Sequence, residues 1–407
     1  MAFQSSVLRD GEWVTQTVSF QDALKASSSV PKTASDQHTE KPACGILSRT
    51  IIESPVVHWV LPVLLRSRSN NDLAFIGDRF VQISELREDG QVHEVIRKAD
   101  FGTRIRNAAV LGAVPGVGTK GARPGSIKTE DTDVAMQDDS MMYEADGQHT
   151  LPPQLLVLML ETGDAVFLFI RQRLDGTLEF VTTKYESPRN LQFLGYHLAI
   201  DPSSRYLAAG SAQGAFIIYE LESLTTMNSQ FRHHGSFKPV KTIRVRTTQG
   251  VIHKMEFLHP RPEDDYHIIL LLIVIHREIN KQGHISRMVV YDWELGDELS
   301  TVLRSEKGTL LPREHRMPLM IIPLKLNTAF FAVSEHCIAR EDGVITQIEI
   351  DATALVPSVL NVGTINTNIT TAFTAAYDVF SDVLVIGGES GPGGIWKVFD
   401  SLLMNLT

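Results

Sequence analysis

Short apolar runs separated by polar turn residues fill most of the chain. Val56 to Leu65 is strand-like, and after a polar break at Arg66–Asn71 come Leu73–Ile76, a Gly77-Asp78 turn, and Phe80, Val81 and Ile83. Glu88-Asp89-Gly90 forms a further turn before Val92, Val95 and Ile96. Strands of about four to seven residues joined by Gly and Asp turns are antiparallel hairpins by their chemistry. The unit recurs in Leu155–Leu160 and Ala165–Ile170, extended by Thr177–Val181, and again in Tyr196–Ile200, Tyr206–Ala209 and Ala215–Tyr219. It continues through Val251–Phe257, Ile268–Ile275, Met288–Trp293, Met320–Pro323, Phe330–Val333 and Val344–Ile350, then Ile369–Ala375, Val383–Ile386 and Ile395–Val398. No stretch carries amphipathic-helix spacing over a useful length.

Strand–turn–strand units repeating at about 40–50 residues are the signal of propeller blades. The period is loose and no Trp-Asp ending recurs, so the predicted fold is all-β, a divergent WD40-like β-propeller. A sandwich or barrel satisfies the local pattern, but about 300 residues of meander are excessive for either. The expected organisation is a flexible lead-in over 1–42, with Ser, Thr, Lys and Pro concentrated in Ser27–Pro42, then a single propeller domain over 43–407. Within that domain, 113–152 opens with Gly and Pro and turns acidic at Glu130, Asp131, Asp133, Asp138 and Asp139. Such a segment buries too little apolar surface to offset its ordering entropy, so a disordered acidic insertion is expected there.

Composition narrows the function. The chain has 407 residues, 43% of them hydrophobic, which is enough for a real core. Its net charge of -10 disfavours wrapping a polyanion, and no clear basic patch for direct nucleic-acid contact stands out in the sequence. Cys44 and Cys337 alone exclude a disulfide framework and a cysteine zinc site, and suit a reducing compartment. Ile268–Ile275 is far shorter than the roughly 20 residues of a membrane helix, and Met1–Asp10 lacks a secretory pattern, so a soluble intracellular protein is expected.

Candidate chemistry dissolves on inspection. Gly116, Gly118, Lys120 and Gly121 are in the wrong order for a phosphate loop, because Thr119 precedes the lysine and Gly121 follows it. Gly387–Gly394 follows a strand, but Ile395-Trp396-Lys397-Val398 continues as another strand, so a hairpin connection replaces the dinucleotide reading. His233, His234, His253, His259, His267, His276, His284 and His315 lack metal-ligand spacing, and His233-His234 is placed in a solvated polar loop. Asp201, Pro202 and Arg205 read as a structural turn in which Arg205 pairs back to Asp201. No catalytic, cofactor-binding or metal-binding residues are assigned, and no cofactor is expected. Trp59, Phe167, Phe257, Trp293 and Trp396, with other aromatics on strand patterns, are expected to pack between blades.

Several segments together resemble one family. They are Ala43–Leu47, Asn71–Gly77, Phe101–Arg106, Leu194-Gly195, Leu198–Arg205 and Lys254–Leu258, with the Asp201-Pro202-Ser203-Ser204-Arg205 turn the most family-like. The family contains the large subunit of the cleavage and polyadenylation specificity factor, the third subunit of splicing factor 3b and the large damaged-DNA-binding subunit. It also holds fungal relatives linked to methyl-methanesulfonate sensitivity, which the Cys44–Leu47 and Asn71–Gly77 stretches resemble most. The resemblance implies the first propeller of a non-catalytic nuclear scaffold, with protein partners in a complex for DNA repair, pre-mRNA processing or ubiquitin-ligase adaptation. It implies that nucleic-acid contact is indirect, and that no membrane and no small-molecule substrate is involved. It leaves open the branch, and whether the last blade, ending near Trp396-Lys397-Val398, is complete. The rival reading is a propeller hydrolase or lyase with its site in the central channel. That needs ionisable residues on successive innermost strands, whereas these strands begin with Val, Leu and Ala.

Overall fold

The computed structural model describes residues 2–9 and 12–19 and, between 56 and 405, all but 68, 113–149, 189–190, 192–193 and short stretches between 262 and 401. The chain divides into two units, Met1–Ser54 and Pro55–Thr407. In the first, β1 (Ala2–Arg9) and β2 (Glu12–Ser19) form an antiparallel hairpin with Val7 opposite Val14 and Leu8 opposite Trp13. This corrects the flexible lead-in expected over 1–42. Asp10-Gly11 separates two runs that carry β-branched and aromatic residues, which is itself a strong hairpin signal. Residues 20–42 lie outside the described residues.

The second unit is a six-bladed β-propeller of antiparallel meanders. Blade one is β3 (Val57–Val63), β4 (Asp72–Gly77), β5 (Val81–Leu86) and β6 (Val92–Lys98). Blade two is β7 (Ile105–Leu111), β8 (Leu155–Leu160), β9 (Ala165–Gln172) and β10 (Leu178–Tyr185). Blade three is β11 (Leu194–Ile200), β12 (Tyr206–Ser211), β13 (Ala215–Leu221) and β14 (Val240–Thr247). Blade four is β15 (Val251–Leu258), β16 (His267–Arg277) and β17 (His284–Glu294), with β18 (Leu303–Arg304) and β19 (Thr309–Leu310) both paired to β17. Blade five is β20 (Pro318–Pro323), β21 (Ala329–Ser334), β22 (Asp342–Asp351) and β23 (Ser358–Thr370). Blade six is β24 (Ala372–Asp378), β25 (Val383–Gly388), β26 (Gly394–Phe399) and β27 (Leu402–Asn405), so the last blade has four strands. The first strands β3, β7, β11, β15, β20 and β24 lie side by side in that order. The Gly387–Gly394 stretch is a hairpin connection, with Ile386 opposite Gly394.

The core sits between blades, and strand alternation explains how one sheet serves two cores. Along β8, Leu156, Leu158 and Leu160 pack against blade one, while Leu155, Val157 and Met159 pack against blade three. Along β16, Ile268, Leu270, Leu272 and Val274 face blade three, and Ile269, Leu271 and Ile273 face blade five. Both faces are dry, so these strands read as continuous apolar runs rather than alternating ones. The expected aromatic packing is present: Tyr206 meets Trp293 edge-on at 5.3 Å and Phe216 meets Tyr291 at 5.0 Å.

One helix was not anticipated. α1 (Leu224–His234) joins β13 to β14, capped by Ser223, whose Oγ accepts from Thr226 N–H at 3.1 Å. Gly235, at φ 64°, ends it and donates to Phe231 O at 2.8 Å. Its apolar stripe is only Leu224, Met227 and Phe231, three positions in eleven residues, which is too short to stand out as periodicity. Phe231 lies 5.4 Å from Phe169 and 6.3 Å from Phe237, pinning the helix on the core between blades two and three. His233-His234 therefore closes a helix instead of lying in a polar loop, although both rings are exposed.

The acidic insertion expected at 113–152 falls mostly on residues 113–149, outside the described residues. Its C-terminal foot is built into the fold: Leu151 is buried and its N–H donates to Asn228 Oδ1 at 3.0 Å.

Candidate interaction surface

The six innermost strands share one irregularity. Each skips register against its neighbour near its start, at Val57/Trp59, Ile105/Asn107, Leu194/His197, Ile252/Lys254, Pro318/Met320 and Ala372/Thr374. An extra residue on one strand kinks it and frees backbone groups from the ladder. Here the freed groups join neighbouring blades. Asn107 Nδ2 donates to Tyr196 O at 3.1 Å, and Arg106 Nη1 to Leu194 O at 3.1 Å, linking blade two to blade three. His197 Nε2 bonds Ile252 O at 2.9 Å, from blade three to blade four, and His253 Nε2 bonds Pro318 O at 2.9 Å, from blade four to blade five.

The same end of the inner strands exposes apolar side chains. Tyr196 is 51% exposed and stacks under the Arg106 guanidinium at 4.9 Å. Val251, on the adjoining inner strand, is 49% exposed, and Val57 at the start of blade one is 37% exposed. A Tyr that is half open while its ring is held by an arginine is a pre-ordered contact, and such aromatics are enriched where protein surfaces meet.

Burial sets the charge state of the groups below this rim. His197 is pushed down to about 4, because loss of water outweighs the support of the Ile252 carbonyl, and His253 is lowered for the same reason. Both are neutral near pH 7 and act as N–H donors to the carbonyls they face. Lys254 and Glu256 stand opposite Ile273 and Leu271 on the face of β15 turned to blade five. Glu256 keeps some accessible surface, but protein surrounds its carboxyl and burial pushes it up to about 8. Burial also lowers Lys254, against the pull of Glu256. The two attract each other electrostatically, and no ion pair joins them among the described residues.

The turn at Asp201, Pro202 and Arg205 has a structural form. Asp201 is 3% exposed, and its carboxyl accepts from Ser203 N–H at 3.0 Å and from Ser203 Oγ. Its carbonyl accepts from Ser204 N–H at 2.7 Å, and Pro202 lies outside in the turn. Burial is the larger influence on the Asp201 carboxyl and raises it to about 6, with the Ser203 bonds opposing. The expected Arg205–Asp201 ion pair does not form: Ser203 supplies the side-chain bond, Arg205 supports the carboxyl through its backbone N–H and its charge, and Arg205 Nε is buried without a hydrogen bond. The short Ser203 side chain reaches from within the turn, where the carboxyl already sits.

His197 and Asn107 carry no motif in the sequence, and His253 stands there only among histidines without metal-ligand spacing. Their signal is a polar residue one to three positions after the first apolar residue of an inner strand, as in Ile105-Arg106-Asn107 and Val251-Ile252-His253.

Antiparallel blades, dry cores between successive blades and bulged inner strands define a β-propeller. Residues 56–338 match the family model described as the RSE1/DDB1/CPSF1 first beta-propeller, and the chain belongs to that scaffold-type family. No curated protein matches the chain.

Proposed function

We propose that this chain is a non-catalytic protein-interaction module of a nuclear complex acting in DNA repair or pre-mRNA processing, and that it docks partners on the bulged end of its inner strands. The observation that carries this reading is Tyr196, half exposed and held by Arg106, beside exposed Val251 on the next inner strand. Contact with nucleic acid belongs to the assembled complex. The test is affinity capture from nuclear extract with mass spectrometry, comparing the wild-type chain with a Tyr196→Glu, Val251→Glu double variant of equal thermal stability. The expected result is a repair or RNA-processing complex that the double variant fails to recover. Recovery unchanged by the double variant would remove this face from the proposal, and purely cytoplasmic partners would remove the nuclear assignment. The rival, a propeller hydrolase or lyase, would rest on Lys254 and Glu256. Turnover of a metabolite abolished by Glu256→Gln would establish it.

A further inference from the structure

The outer strands of the blades differ in how their cations are matched. On blades one and two the cations beside the outer strand are matched: Lys98 pairs with Asp100 at 2.6 Å, Lys184 with Asp164 at 2.8 Å, Arg171 and Arg173 share Glu179, and Arg97, which has no carboxylate among the described residues, lies 4.6 Å over the Phe80 ring. Blade three departs from this. From Ser223 to Met255 the sequence contains no Asp or Glu, in a chain of net charge -10. Within that span, Lys241 meets an acid, Glu220, at 2.7 Å. Arg232, Lys238 and Arg244 are exposed and have no carboxylate partner among the described residues. The C-terminal dipole of α1 accounts for Arg232 but does not reach Arg244 on β14.

These cations border an open edge. β14 is the outermost strand of its blade, bonded to β13 on one side and to no other described strand. Lys238 is fixed beside it, because its N–H donates to Gln230 Oε1 at 2.8 Å and Pro239 O accepts from Glu222 N–H at 2.9 Å. Along the edge Val245 is 38% exposed. A free strand edge flanked by unmatched cations offers two things at once, backbone hydrogen bonds and positive charge. Nucleic acid would use only the second, and neither α1 nor β14 exposes a Phe, Tyr or Trp on which a base could stack. An extended acidic segment uses both, by strand addition.

We infer that the outer edge of blade three, along β14 with Arg232, Lys238 and Arg244, binds an extended acidic segment of a partner protein as an added strand. This deepens the scaffold reading and rests on it. The probe is a labelled peptide of about ten residues alternating Glu with Thr and Val, long enough to lie along the eight residues of β14. Binding to the full chain is followed by fluorescence anisotropy. Expected is saturable binding that weakens about tenfold or more in an Arg232→Gln, Lys238→Gln, Arg244→Gln variant of unchanged melting temperature. Two further peptides carry the same side chains, with N-methyl groups on alternate residues in one frame or the other. Strand addition requires that at least one of them loses binding. Binding of both methylated peptides as tightly as the unmethylated one, no response to the triple variant, or tighter binding of a DNA duplex than of the peptide would each overturn the inference. Failure here with the nuclear complex still captured through Tyr196 and Val251 would leave the scaffold reading in place.

Discussion

Replacing Glu256 with Gln keeps the shape of the side chain and removes its titration, so it isolates the energetic consequence of a surrounded carboxyl on an inner strand. The folded chain holds Glu256 protonated up to about 8, against an ordinary value of 4.5. A carboxyl whose folded value lies above its unfolded one gives its full support to the fold below pH 4.5 and loses it as pH rises towards 8. The full difference corresponds to roughly 5 kcal/mol at about 1.4 kcal/mol per pH unit, and discounting for the partial opening of Glu256 leaves about 2–3 kcal/mol. Wild type should therefore lose about that much relative to Glu256→Gln between pH 4.5 and 8.5. Urea unfolding at both pH values measures it, with Lys254→Met as a control because Lys254 is also shifted towards its neutral form. At pH 8.5 the Gln variant should be the more stable protein. A difference between wild type and variant that does not change with pH would refute the argument, since it would mean the carboxyl is hydrated in the folded state.

His197 works in the opposite direction: its folded value near 4 lies below the ordinary 6.5, so its contribution is present above pH 6.5 and fades as pH falls towards 4. His197→Ala should cost about 1–2 kcal/mol at pH 7.5 through the lost bond to Ile252 O, and calorimetry should show a smaller loss of stability on acidification than in wild type. Arg205→Met should be neutral or slightly stabilising in thermal melts, because it removes a buried Nε that has no hydrogen bond; a loss above about 1 kcal/mol would reinstate a pairing role. Ser223→Ala should destabilise by about 1 kcal/mol in denaturant unfolding by uncapping α1. Gly214→Ala should be far worse, since Gly214 has φ +87° and a Cβ there would stand 2.5 Å from Gly250 O; soluble yield together with melting temperature reports it.

The blades were legible because their chemistry is local. Gly77-Asp78, Glu161–Asp164 and Gln213-Gly214 are turns in the sequence and turns in the structure, joining β4 to β5, β8 to β9 and β12 to β13. Strands that carry few buried residues were harder to see. β14 (Val240–Thr247) alternates poorly and is largely exposed, so an outer strand that contributes little to the core left little pattern. β7 (Ile105–Leu111) was recognised only as part of a family-like segment, because its partner β8 begins beyond the insertion. The inter-blade bonds of Asn107, His197 and His253 depend on which carbonyl a neighbouring blade presents, and no single strand carries that information. The same holds for Arg205: its spacing from Asp201 permits an ion pair, and the competing Ser203 contact is decided by the closed geometry of the turn. The basic surface of blade three was hidden by the acidic total, which averages over the 33 residues from Ser223 to Met255 that contain no acid.

The feet of the long β7–β8 connection are held close together. Leu111 pairs with Leu155 across the two strands, Gly112 N–H donates to Ser204 Oγ at 3.2 Å, and Leu151 N–H donates to Asn228 Oδ1 at 3.0 Å. Between ends fixed this way, doubling the length of chain adds only about 0.6 kcal/mol of closure entropy. Blade two is therefore nearly indifferent to what is spliced between 112 and 151. New chain termini, a fluorescent domain or an affinity sequence can enter there while the pairing of Leu111 with Leu155 keeps the sheet in register. That site is a handle for following the propeller inside an assembly, at the opposite end of β7 from Arg106 and the Tyr196 rim.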